Sequence, residues 1–328
     1  SGLLGHRTAS HLATVLDVML MERRKATHVK SPEWEQFLFE SVAADKPFNQ
    51  LAREILSADG TDEKNRAAAR FYLDREGEPH LLTRDVGRIF FGRDFQCAQC
   101  HDHPLIEDYL QHDYYGLFAF FTRTSIFTDK KAKKSFLAET ADGEAVFTSV
   151  FTDIKGQTRP RLPTDVEIDE PVIPAAETYL VKPAKDVRPV PKFSRRAALA
   201  EKATDGSNRA FNRNIVNRLW AHMMGRGLVE PVDLHHPGNP PTHPQLLDLL
   251  ADEFVAMNFD IKAFLRELAL TKTYRRAFDM PSDMGVTPSE LAQRIEQLKT
   301  DQDQRAAALE AQSDKVTDLR NEVDFAQL

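Results

Sequence analysis

Cysteine is nearly absent: the 328 residues contain two, which excludes a disulfide-rich scaffold. No stretch approaches the roughly 18 consecutive apolar residues that a membrane span needs. The best run, Leu12 to Met21, is short and broken by Asp17. A charged start followed by an apolar run is missing at Ser1 and Gly2. An excess of positive charge is missing too. The formal net charge is -7 and the isoelectric point lies near 5.9, which argues against a nucleic-acid binder and leaves room for a basic protein partner. What is present is ordinary for a globular protein: 41% hydrophobic and 28% charged residues, in a chain long enough for two domains with real cores.

Both cysteines fall in one pentapeptide, Cys97-Ala98-Gln99-Cys100-His101. This C-x-x-C-H pattern points to covalent attachment of haem c. Each thiol adds across a haem vinyl group to leave a thioether, and the adjacent histidine supplies an axial nitrogen to the iron. Such attachment takes place outside the cytoplasmic membrane, so the expectation is a periplasmic or otherwise exported protein whose leader has been removed. Three other readings stay open. A zinc site would need two ligands beyond Cys97 and Cys100, with His103 and a distant histidine as candidates, and there is no second C-x-x-C. A thioredoxin-like pair would follow a strand, whereas this stretch reads helical. The motif could also be coincidental.

The second axial position has several candidates. His103 is too close to His101 in sequence to reach the opposite haem face easily, and His112 needs an intervening loop to return. Met223 and Met224 sit on a helix and read as core residues. His235, His236 and His243 lie in a Gly/Pro-rich loop from Gly225 to Pro244, where functional side chains are common. A vacant sixth position would shift the role from electron transfer toward ligand binding or catalysis. Asp102, Glu107, Asp108 and Asp113 around the motif read either as tuning or docking charges or as helix caps. Tyr114, Tyr115, Phe118 and Phe121 read as a haem wall, a core face, or both.

Periodicity predicts a mainly α protein. Helical spacing runs through Leu12, Val15, Leu16, Met19 and Leu20. Ser31-Pro32-Glu33 starts a helix with apolar face Trp34, Phe37, Leu38 and Val42, and Phe48 to Leu56 forms another. Residues 57–80 are polar and read as loop. The run around Asp142-Gly143 predicts a β-hairpin. Seven prolines between residues 160 and 192 mark an extended connection. Helices resume with Phe211, Ile215, Leu219 and Trp220 on one face, and Thr242 is the expected cap of a helix with Pro244 in its first turn. From Leu291 through Ile295, Leu298, Leu309, Val316, Leu319 and Val323 the steps of four and three describe a heptad seam with polar breaks at Gln302, Arg305 and Gln312. The expected organisation is a cytochrome-like helical domain over 1–122, a hairpin and Pro-rich connection over 123–193, a second helical domain over 194–285 and a coiled-coil-like helix over 286–328.

Several long motifs, in order, carry a family resemblance. They are PEWEQF (Pro32–Phe37), DKPFNQLARE (Asp45–Glu54), FQCAQCHDHP (Phe95–Pro104) and DYYGLFAFF (Asp113–Phe121), then NRNIVNRLW (Asn212–Trp220), GRGLVEP (Gly225–Pro231), PPTHPQLLD (Pro240–Asp248) and Thr273-Tyr274-Arg275. Together they resemble the planctomycete cytochrome-like family, which pairs a cytochrome-like N-terminal domain with a second domain of unknown function. The resemblance implies an exported, haem-bearing protein and no established activity; a coiled coil after Pro288 also fits it. Two features depart from the family pattern. The stretch His6 to Arg24 keeps only Leu16-Asp17-Val18 of the usual opening helix, and DLHHPG (Asp233–Gly238) places two extra histidines near His243.

The leading expectation is an exported monohaem c-type protein in electron transfer, with redox partner proteins on either side. The first alternative is a haem- or metal-dependent enzyme with an open site near His235, His236 and His243, acting on a polysaccharide-derived substrate. The second is a non-catalytic assembly protein that self-associates through 288–328.

Overall fold

Apolar residues three and four apart decide the first packing. In the computed structural model, which describes residues 2–151, 153–276 and 288–326, helix α1 (Gly2–Met21) buries Ala9, Leu12, Ala13, Leu16 and Leu20. That stripe packs on α2 (Ser31–Ala43), which buries Trp34, Phe37, Leu38 and Val42. The Trp34 indole N–H donates to Asp17 at 2.8 Å, so the aspartate that interrupts the apolar run is the partner of a buried indole. Pro32 stands in the first turn of α2. Helix α3 (Phe48–Ser57) follows.

Residues 57–80 depart from the expected loop. A 3-10 turn (Arg66–Ala69) and a single-turn helix α4 (Arg70–Leu73) place Ala68, Ala69, Phe71, Tyr72 and Leu73 in the core. The charged residues among them are accommodated by pairing. Arg70 Nε donates to Asp74 at 2.9 Å, and Arg75 Nε to Asp85 at 2.6 Å. Helix α5 (Pro79–Phe91) opens on Glu78, whose carboxylate accepts from the His80 and Leu81 N–H groups, and closes on Gly92 at φ 67°. Helix α6 (Gln111–Phe118) completes the first half.

The three β-ladders are two-stranded and antiparallel. Strands β1 (Thr124–Asp129) and β2 (Lys134–Glu139) pair, β3 (Ala145–Thr148) pairs with β4 (Lys155–Thr158), and β5 (Tyr179–Val181) with β6 (Val190–Pro191). Asp142-Gly143 is therefore the link between two hairpins and not a hairpin turn. The β1–β2 turn is set instead by Asp129, whose carboxylate accepts from the Lys131 and Ala132 N–H groups.

Helices α7 (Arg195–Thr204), α8 (Arg209–Met224), α9 (Pro244–Ala256) and α10 (Ile261–Leu270) form the second half. Ser194, Asn208 and Asp260 cap α7, α8 and α10 through their side chains. Thr242 is not the cap of α9. His243 holds that position without a side-chain bond, while the Thr242 hydroxyl and N–H both donate to Leu228 O. One hydrophobic core runs from Ala9 to Leu268 through both halves. Phe48 stacks on Phe211 with centroids 5.7 Å apart, and the Phe48 N–H donates to Phe259 O at 3.0 Å.

Residues 276–328 form a separate unit whose helix α11 spans Pro288–Ala326. Leu291, Ile295 and Leu298 of the heptad seam are exposed; the side chains of Leu309, Val316, Leu319 and Val323 lie outside the described residues. Among the described residues no helix is long and apolar enough to cross a membrane.

Candidate functional site

The chain between α5 and α6 is a loop wrapped on a small aromatic core of Phe95, Ala98, Ile106, Tyr109 and Tyr114, and it carries the C-x-x-C-H motif. Cys97–Gln99 form one 3-10 turn, closed by the Cys100 N–H donating to Cys97 O at 3.2 Å. In a 3-10 turn, side chains three apart eclipse. Ala98 accordingly points inward and is fully buried, and both cysteines stand exposed as free thiols. The turn is pinned from behind, where the Tyr115 hydroxyl donates to Gln99 O at 3.2 Å. The β3–β4 hairpin reaches it from one side. Tyr115 stacks on Phe147 at 4.7 Å, and the Val150 N–H donates to Cys100 O at 3.2 Å. This leaves the hairpin's Val150, Phe151 and Ile154 exposed near the motif, with the Phe151 ring 4.8 Å from that of His101.

The histidines in this region are not equivalent. His101 Nδ1 lies 2.6 Å from Asp102 O. A carbonyl only accepts, so Nδ1 carries a proton, and in the neutral ring this puts the lone pair on Nε2, as in metal-ligating histidines whose other nitrogen is held by a carbonyl. His103 is wired the opposite way: its Nδ1 accepts from the Leu105 and Ile106 N–H groups at 3.1 and 3.0 Å. His112 Nδ1 accepts from Arg161 at 2.6 Å. Three of the four acids around the motif have structural partners. Asp102 accepts from the Gln111 N–H at the start of α6, Asp108 pairs with Arg93, and Asp113 with Arg161. Tyr114 and Phe121 are fully buried, whereas Tyr115 and Phe118 are half-buried. His80 sits among them, with Nδ1 2.8 Å from the Tyr114 hydroxyl and its ring 4.4 Å from Phe118.

The loop before α9 is held beside the motif loop by an antiparallel bridge between Arg93 and Leu234. The Asp94 N–H donates to Asp233 O at 3.0 Å, and the His235 N–H to Gly92 O at 2.9 Å. The three loop histidines do not converge. His235 turns inward, where its Nε2 lies 3.4 Å from Asn217 Nδ2. Burial, followed by the charges of Arg213, Arg218 and Arg93, lowers its pKa to about 3. His236 packs edge-on to Tyr109 at 5.7 Å, and His103 meets the same ring at 6.1 Å. His243 is exposed at the start of α9. Met223 packs against the main core and Met224 is half-buried on α8. Among the described residues no three His, Cys, Asp or Glu side chains gather to hold a metal ion, Cys97, Cys100 and His103 included.

The residues that bring the two loops together, Gly92, Arg93, Tyr109 and Asn217, carried no signal in their local sequence. Gly92 is required twice over. Its φ is 67°, and a Cβ there would meet His235 Cδ2 at 2.7 Å and Asn214 Oδ1 at 2.8 Å.

The thiol and imidazole geometry fits covalent haem. Two free, exposed thiols stand on one 3-10 turn, and among the described residues no hydrogen bond claims Nε2 of the adjacent histidine. Comparison with known families agrees with the order of the two halves. Residues 3–126 match PSCyt2, protein of unknown function (DUF1549), and residues 195–318 match PSD1, protein of unknown function (DUF1553). No curated protein and no solved structure matches the chain. The chain is therefore similar, in sequence order, to the two domains of the planctomycete cytochrome-like family.

Proposed function

We propose that this chain is an exported monohaem c-type protein that carries one haem c on Cys97 and Cys100, with His101 as axial ligand, and transfers single electrons between partner proteins. The observation that carries the reading is the His101 Nδ1–H bond to Asp102 O at 2.6 Å, beside two exposed free thiols on one 3-10 turn. When bound, the haem supplies one-electron redox chemistry. The chain's own residues do the rest. Cys97 and Cys100 tether, His101 is oriented by Asp102 O, and Phe151, Val150 and Ile154 offer apolar surface beside the tether that would otherwise face water.

Protein matured in a host with haem c machinery should show a Soret band that survives acid-acetone extraction. The Cys97→Ser/Cys100→Ser double variant should lose the band on extraction. Correctly matured but colourless protein would overturn the reading. Carbon monoxide added to the reduced form then reports the sixth position. A spectral change indicates an open site suited to catalysis, and no change indicates two protein ligands.

A second role, assembly, is favoured by the exposed Leu291, Ile295 and Leu298 on one stripe of α11. Sedimentation should show self-association that is lost on truncation before Pro288 and kept in His101→Ala. A monomer at all concentrations would remove this role.

A further inference from the structure

On its far side, the loop that holds His235 and His236 borders a cleft of about 540 Å3. That volume is within the range of small-molecule sites. Arg93, Arg209 and Arg213 line it, and no carboxylate does. Phe91, Pro240 and Pro244 give it a rigid apolar wall. Two of the arginines are committed. Arg93 Nη1 donates to Asp108 at 2.9 Å, and Arg209 pairs with Asp252 and, at 3.0 Å, with Asp248. Arg213 differs. Its Nε stands 3.5 Å from Asp248, is buried and makes no hydrogen bond, and its terminal nitrogens meet no acceptor among the described residues. Asn214, the next residue on α8, is fixed by its side-chain N–H bond to Ile89 O at 2.7 Å, which holds this part of α8 against α5.

A guanidinium fork of this kind matches a planar carboxylate with two parallel hydrogen bonds. The proline wall suits an apolar body attached to it. Of these three arginines, Arg213 is the one whose two terminal nitrogens both lack an acceptor among the described residues, its Nε standing beside Asp248, so the cleft suits a single negative charge and not a phosphate dianion. We propose that this cleft binds a small organic monocarboxylate, with Arg213 gripping the carboxylate and Pro240, Pro244 and Phe91 covering the apolar body. The site is separate from the haem tether and does not depend on it. The two adjoin through Arg93, whose guanidinium lies 5.5 Å over the Tyr109 ring of the motif loop.

The test uses benzoate as probe, titrated into the full chain by calorimetry and followed by thermal melting. Benzylamine and phenyl phosphate serve as controls. Saturable benzoate binding should raise the melting temperature, and benzylamine should not bind. Arg213→Ala should weaken benzoate by about tenfold to a hundredfold, the usual loss of a charge-assisted pair. Arg213→Lys should restore only part of it, because an ammonium has no fork. If Arg213→Ala melts early, Pro244→Glu gives an independent reading. It changes an exposed residue at the start of α9 and should abolish binding by placing a carboxylate in the cleft. No saturable benzoate binding, tighter binding of phenyl phosphate, equal binding of benzylamine, or unchanged affinity in both variants would overturn the proposal.

Discussion

Asp85→Ala is expected to destabilise the fold by about 3–5 kcal/mol, the cost of removing one partner of a buried ion pair. Arg75 is fully buried, and Asp85 is its only carboxylate partner among the described residues, at 2.6 Å. The same carboxylate accepts from Arg24 at 3.1 Å and from Arg88 at 3.2 Å. Burial alone would raise the Asp85 carboxyl, but Arg75 and Arg88 outweigh it and hold the group below its usual range. The rest of the Arg75 fork donates to Phe71 O and Leu20 O, both at 2.9 Å, and its guanidinium lies 3.9 Å over the Phe71 ring. This one side chain therefore ties α1 to α4, and Asp85 adds α5. Without the carboxylate, a cation stays in the core with carbonyl partners only. Urea unfolding of the variant against wild type measures the effect. A loss under about 1 kcal/mol would mean that water reaches Arg75. The double variant Arg75→Met/Asp85→Leu should recover most of the stability, because a packed apolar pair avoids the desolvation cost.

The same network explains where sequence reading stopped short. Phe71, Tyr72 and Leu73 are a short apolar run between Arg70 and Asp74-Arg75, and locally that pattern is polar. The neutralising groups lie elsewhere in the chain, at Asp85 and at the carbonyls of Leu20 and Arg24, where no window of periodicity reaches. Signals that depend on one residue's own geometry were legible. Pro32 and Pro244 mark helix starts, and Trp34, Phe37 and Leu38 define a face. Asp142-Gly143 misled because a dipeptide marks a turn without saying which strands it joins. The cysteine motif was legible because composition isolates it and C-x-x-C spacing places both thiols on one side of a tight turn. The fate of the loop histidines was not. Whether His235, His236 and His243 converge depends on the bridge between Arg93 and Leu234, a pairing across 141 residues of sequence, which turns His235 inward and leaves His236 against Tyr109. Arg213 was missed for the same reason: its open terminal nitrogens are visible only once the partners of Arg93 and Arg209 are known.

His235 yields the prediction of largest effect in pH. Its folded pKa of about 3 lies below the ordinary 6.5. Burial is the main cause, and Arg213, Arg218 and Arg93 add repulsion of a charged ring. Above pH 6.5 the ring is neutral in both states and contributes nothing to the pH dependence. As pH falls below 6.5 the unfolded chain takes up a proton that the folded chain refuses, so stability falls with pH, by about 1.4 kcal/mol per unit down to the folded pKa. Between pH 7 and pH 5 the loss from this one group should be about 2 kcal/mol. Urea unfolding at both pH values isolates it when wild type is compared with His235→Gln. The amide can still accept from Asn217 but cannot titrate, so the variant's stability should fall by about 2 kcal/mol less over that interval. Proton uptake by the folded ring would instead give parallel losses. That result would mean that the ring is wetted from the adjoining cleft, and it would free the His235 ring from its bond to Asn217. With that bond and the His235 N–H bond to Gly92 O intact, the residue is a structural latch between α8 and the motif loop. Under the proposed haem reading, a sixth ligand must then come from another residue.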